Sequence, residues 1–113
     1  MQREIAKYLH DIRTSCELIA QFVEGKCFED YSSEAMLKSA VERQFEIIGE
    51  ALRQMLAVEP ELKNVISSHS DIISFRNRLI HGYAQVSDEL VWGVIERNLP
   101  TLLDEIIKLQ NTA

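Results

Sequence analysis

Apolar residues recur along this chain at three- and four-residue steps almost from end to end, a period that fits helices and not strands. From Gln2 to Glu24 the series Ile5, Tyr8, Leu9, Ile12, Cys16, Ile19 and Val23 lays one apolar stripe along a helix. Gly25 supplies a C-terminal stop. Lys26 to Ser32 reads as a short linker, with Asp30, Ser32 or Ser33 available to cap the next helix. That second helix is predicted from about Ser33 to Ala57, with Leu37, Val41, Phe45, Ile48, Leu52 and Met55 as its stripe. Gly49 inside it costs about 1 kcal/mol against alanine, which marks a close-packing point between helices. Met36 and Met55 read as core filler.

Further on, Pro60 suits the first turn of a short helix through Ile66, and Ser67, Ser68 and Ser70 break the pattern. The next helix is predicted from near Asp71 to about Gly82, followed by a loop from Ala84 to Val86. Ser87, with Asp88 and Glu89 behind it, is a helix start with acids placed well for the dipole. Pro100 is expected to kink or restart the helix that Leu90, Val91, Val94 and Ile95 begin. Strand-like alternation and internal repeats are absent from the pattern. The expected fold class is all-α, an antiparallel bundle of four to five helices, with residues 1–113 as a single domain.

Several function classes are disfavoured at once. The longest uncharged, largely apolar stretch, Leu90 to Ile95, is far below the roughly 20 residues that a spanning helix needs. Arg3, Glu4, Lys7 and Asp11 interrupt any early apolar region, so neither a membrane span nor a signal peptide is expected and the chain reads as cytoplasmic. Cys16 and Cys27 lack the spacing and flanking histidines of a zinc or redox motif, so free thiols and no metal or other cofactor are expected. The net charge of -6 argues against broad, non-specific nucleic-acid binding. Yet the charge is uneven. No Asp or Glu occurs from Ile72 to Ser87 in a chain with 18 acids, and that window carries Arg76, Arg78 and His81.

The segment Phe75-Arg76-Asn77-Arg78-Leu79-Ile80-His81-Gly82-Tyr83 therefore holds the chemistry. Arginine offers a permanently charged planar fork that matches phosphate oxygens. Histidine titrates near neutrality and can move a proton. Near an RNA phosphodiester, one group can handle the proton of the 2'-hydroxyl or of the leaving 5'-oxygen. The other can neutralise the charge that grows on phosphorus. Arg76 and His81, five residues apart, lie about 140° apart around a helix, so they do not stack. Asn77 and His81, four apart, do. Arg76 and Tyr83, seven apart, align only if the helix survives Gly82. A working centre thus calls for a second copy of the segment across a dimer. On residue types alone, three readings stand: a capped, solvated helix surface, which is the commonest, a phosphate-binding patch without chemistry, and a catalytic centre.

Arg76, His81 and Tyr83 reproduce the pattern R-x4-H-x-Y, and the chain resembles the HepT-like proteins of the HEPN superfamily. Ile47-Ile48-Gly49-Glu50-Ala51 is similar to that family's second-helix motif, and Val91-Trp92 and Leu99-Pro100 to its C-terminal helices. The likeness extends over almost the whole chain. It implies a HEPN-type helical homodimer with a cleft lined by both copies of the Arg and His. It further implies a metal-independent endoribonuclease acting on cellular RNA as the toxin of a type VII-like toxin–antitoxin pair. The implied partner is a minimal nucleotidyltransferase antitoxin of the MntA type, which transfers AMP onto the motif tyrosine. Carried over, Arg76 and His81 are the catalytic pair and Tyr83 the AMPylated residue. Asn77 positions His81 or the substrate, and Arg78 either contacts RNA phosphate or stays solvated. For Tyr83, a packed aromatic is the competing reading.

The family often has Pro-Trp where this chain has Ser68-His69, and a small residue followed by Met where it has Ser74-Phe75. These departures touch the approach to the motif and bear on substrate choice. His69 reads as a surface or capping residue, and Trp92 as an anchor in the core or the dimer seam. A different class of function, a non-catalytic HEPN module that binds a nucleotide or a partner domain, predicts the same fold and dimer.

Overall fold

The first apolar stripe becomes helix α1 (Arg3–Phe22), which buries Ile5, Leu9, Ile12, Cys16 and Ile19. The computed structural model describes residues 3–112, apart from the side chain of Tyr83. The chain leaves α1 through Gly25, whose φ of 72° lies in the left-handed region that only glycine enters freely.

The expected linker contains a helical turn, α2 (Phe28–Ser32). Asp30 accepts the backbone N–H of Cys27 at 3.0 Å. Tyr31 is fully buried, with its ring 5.6 Å from that of Trp92, and Phe28 meets Trp92 edge-on at 6.3 Å. Five residues are too few to show a period, and it is this aromatic cluster that holds the turn. Asp30, Ser32 and Ser33 consequently do not cap the next helix, which starts after Glu34 without a side-chain cap.

Helix α3 (Ala35–Val58) is the centre of the fold, packed between α1 and α4. Its buried line is Leu37, Val41, Phe45, Ile48, Leu52 and Met55. Met36 is 83% exposed, which corrects its reading as core filler. It precedes Leu37 by one residue, about 100° around the helix, and so points away from the buried line.

A 3-10 turn (Pro60–Asn64) leads to α4 (His69–His81), which stops at Gly82. Residues Tyr83–Gln85 form a 3-10 turn that overlaps the loop expected from Ala84 to Val86. α5 (Asp88–Gly93) starts at Ser87, whose hydroxyl accepts the Leu90 N–H at 3.1 Å. A π-helical segment (Val94–Asn98) then runs directly into α6 (Leu99–Asn111), which packs on α1. Pro100 is the second residue of α6, just after this π-helical segment; the helix runs through without restarting, and the widened π turn lies where the proline has no N–H to donate.

The contact that sets the site is Phe45 of α3 against Phe75 of α4, edge to face with centroids 5.1 Å apart. Such pairs add about 0.5–1.5 kcal/mol beyond area burial. They also fix the rotation of α4, and with it the direction of Arg76. Phe45→Ala is expected to cost about 3–5 kcal/mol, measured by urea denaturation. A cost under about 1 kcal/mol would show that α4 is positioned by something else.

Among the described residues, no helix is long and apolar enough to cross a membrane. Both cysteines are free, and burial, with Glu17 beside it, pushes the Cys16 thiol up to about 12.

Candidate functional site

Helix α4 turns Ile72, Phe75 and Leu79 into the core. Arg76, one position beyond Phe75, is carried to the flank of that line and meets α3. The stem of its side chain lies over Gly49. A methyl group at Gly49 would fall 2.3 Å from the Arg76 Cβ and 2.5 Å from its Cγ, so only glycine leaves room. The close-packing role expected for Gly49 is borne out, and its neighbour is Arg76. The arginine side chain is only 19% exposed.

Its guanidinium ends beside the next residue of α3. Arg76 Nη2 is 2.9 Å from Glu50 Oε1, and Nη1 donates to Asn77 Oδ1 at 2.9 Å. Arg76 Nε is buried and has no hydrogen-bond partner among the described residues. Glu50 is itself held on other sides. Arg53 donates to both its oxygens, at 3.1 and 2.7 Å, and Gln54 donates to Oε2 at 2.6 Å. Tyr8 of α1 donates to Gln54 Oε1 at 2.9 Å. A polar chain thus runs from α1 through α3 to α4.

These donors, with Arg53 and Gln54 foremost, hold the Glu50 carboxyl down to about 2 despite slight desolvation. A lowered folded pKa favours the native state above the ordinary carboxylate range, and that contribution is lost only as the pH falls toward about 2. The ion pair with Arg76 is therefore intact throughout the physiological range.

The remaining motif residues lie elsewhere on α4. His81 is its last residue and is exposed. Asn77 shares a helical stripe with His81, but its amide oxygen is engaged by Arg76. The helix ends before Tyr83, so the seven-residue alignment with Arg76 does not extend to it. The Tyr83 side chain, singled out as the modified hydroxyl, lies outside the described residues.

Two grooves flank α4. One, of about 520 Å³, is lined by Arg53, Lys63, His69, Ser74 and Asn77. His69 is half-buried there at the start of α4, so this residue, expected on the surface or in a cap, shares a groove with Asn77. Its nearness in sequence to the motif was the signal for it. Arg53 and Lys63 gave none, because they arrive from other elements. The other groove, about 250 Å³, holds Arg78 with Asp71, Arg97 and Asn98. Arg78 is thus separated from Arg76, at a groove that only the α5–α6 arm completes.

Among the described residues, no group of three His, Cys, Asp or Glu side chains is placed to hold a metal ion. What the site offers is a fixed guanidinium, an exposed imidazole on the same helix, and cationic groove walls in an otherwise acidic chain.

An all-helical fold carrying an arginine and a histidine on one buried-faced helix defines a class, and comparison with known proteins identifies it. The chain belongs to the HepT-like family of the HEPN superfamily: the family model "Ribonuclease HepT-like" matches residues 12–109. It is 32% identical over 114 residues to "Probable ribonuclease HepT" of Thermococcus cleftensis, covering 97% of this chain and 99% of that one. It is also 33% identical over 109 residues to "Gamma-glutamylcyclotransferase and putative RNase MJ0434" of Methanocaldococcus jannaschii. That match covers 96% of this chain but 49% of the relative, so the chain spans about half the length of that protein. No solved structure matches it significantly. The family and the names of these relatives support a ribonuclease of the HEPN type.

Proposed function

We propose that this chain is a metal-independent endoribonuclease, the toxin of a type VII-like toxin–antitoxin pair, active as a homodimer. The observation that carries this reading is Arg76, seated on Gly49 and held by Glu50 five residues before an exposed His81. His81 takes the proton of an RNA 2'-hydroxyl, whose oxygen attacks phosphorus. The P–O5' bond breaks, and the leaving oxygen takes a proton from a second acid, the partner's imidazole or water. The products are a 2',3'-cyclic phosphate and a 5'-hydroxyl. Arg76 faces the charge that develops on the phosphorane oxygens.

A second copy is invoked because the two groups diverge on α4, one turned to α3 and the other to solvent. Ile80, between them in sequence, is 39% exposed, and Ile73 is half-buried beside Asn77. Together they give α4 an outer apolar edge that a partner can cover. Arg78 and Asn77 bind substrate phosphate or sugar from the two sides of α4. A minimal nucleotidyltransferase of the MntA type transfers AMP from ATP to Tyr83, whose backbone follows His81 by two residues: the phenol oxygen loses its proton and attacks the α-phosphorus, and pyrophosphate leaves. The added phosphodiester competes with RNA phosphate for the arginines.

That Arg76 is already engaged by Glu50 and Asn77 favours a second reading, a nucleotide- or partner-binding HEPN module without catalysis. Incubation with total RNA separates them. Cleavage in EDTA is expected from wild type, and activity that needs added Mg²⁺ would sink the mechanism. With a minimal nucleotidyltransferase of the MntA type and ATP, wild type is expected to gain AMP and fall silent, while Tyr83→Phe stays active. A Phe variant fully neutralised without any adduct would replace AMPylation by simple complex formation.

A further inference from the structure

We propose that Glu50 is a positioning residue for Arg76: with Gly49 it forms a two-residue seat on α3 that fixes the plane of the guanidinium. This deepens the ribonuclease reading, and the rates predicted below rest on it. Gly49 and Glu50 divide the work by their chemistry. Glycine removes the Cβ that would collide with the arginine stem, so the stem lies directly on the α3 backbone. The carboxylate then takes one edge of the guanidinium at 2.9 Å, and Asn77 takes another at 2.9 Å. A guanidinium held at two edges has one orientation, and the Nη hydrogens not engaged by Glu50 and Asn77 are set in advance for an oxyanion.

A plain ion pair would not need what surrounds Glu50. Exposed pairs contribute little to stability, yet this carboxylate is fixed by Arg53, by Gln54 and, through Gln54, by Tyr8 of α1. Those contacts make Glu50 a rigid post. They also set the charge. One carboxylate faces the two guanidiniums of Arg53 and Arg76, so the cluster keeps net positive charge for a phosphate. Arg76 need not leave Glu50 when RNA arrives, because Arg53 already shares the neutralisation. A fixed arginine lowers the barrier without a reorientation step, and misplacement by about 1 Å can cost on the order of 100-fold.

The test is Glu50→Gln, which keeps the size and removes the charge. Cleavage kcat is expected to fall about 10- to 100-fold. The affinity for an uncleavable 2'-deoxy oligonucleotide should change less than about threefold, since the cluster becomes more positive rather than less. Arg53→Ala, which loosens the post, should fall between wild type and Glu50→Gln. An intact melting transition in each variant excludes mere unfolding. A Glu50→Gln protein that cleaves at the wild-type rate overturns the proposal, as does a kcat loss matched by an equal loss of oligonucleotide affinity. A second readout is independent of activity. In wild type the Arg76 Nη signals should be resolved by nitrogen NMR, assigned by their loss in Arg76→Lys, and should merge in Glu50→Gln as the guanidinium rotates freely. Merged Arg76 signals already in wild type overturn the seat. Resolved signals in a wild type that cuts no RNA uphold the seat and overturn the ribonuclease reading instead.

Discussion

His81→Ala should cleave RNA about 10²–10⁴-fold more slowly than wild type while melting at almost the same temperature. His81 is exposed at the end of α4 and has no side-chain hydrogen bond or ion pair among the described residues, so its removal disturbs no packing. Surface changes of this kind usually stay within about 0.5 kcal/mol. Arg76→Ala should lose activity to a similar degree, by about 10²–10³ if it stabilises the transition state. Its stability cost should be the larger of the two, because a side chain packed on Gly49 is removed and Glu50 loses one of its partners. The measurement is single-turnover cleavage of a defined RNA alongside thermal melts. Retention of full activity by either variant would remove that residue from the chemistry. Equal losses in rate and in folded fraction would reduce the effect to stability.

Gly49→Ala sets two known effects against each other, and the geometry decides the sign. Alanine gains about 1 kcal/mol of helix propensity over glycine. Against it, the new methyl would meet the Arg76 Cβ at 2.3 Å, and a Cβ is tied to the backbone of α4. It cannot swing aside as a side-chain tip could, so α4 itself must shift. Overpacking of this sort costs about 1–3 kcal/mol, and the shift also carries Arg76 off Glu50. Gly49→Ala is therefore expected to melt several degrees lower and to cleave RNA at least about tenfold more slowly, by the same positional argument. Gly49→Val should be worse on both counts. A Gly49→Ala protein that is more stable and fully active would mean that α3 and α4 separate without penalty.

The sequence was enough wherever a signal is local. The 3.6-residue period placed α1, α3 and α4 within a few residues of their ends. Gly25 and Ser87 marked turn and cap because each acts locally, and Pro100 marked where the helix departs from regular α geometry, though the helix does not restart there. The motif residues were legible as residue types, and Gly49 as a point of close approach. The partner of that approach was not. Arg76 is far from Gly49 in sequence, and their meeting depends on the phase of α4, which the Phe45–Phe75 contact sets. The helical turn at Phe28–Ser32 was hidden for the same reason, since it exists through Trp92 on another element. Met36 reads as apolar in any window, yet only the packed orientation of α3 leaves it outside. Glu50 shows most clearly where local reading stops. Its i+3 and i+4 partners, Arg53 and Gln54, could have been found by spacing. Its hold on Arg76 exists only because tertiary packing lays one helix across the other, and side-chain charges act through space and not along the chain.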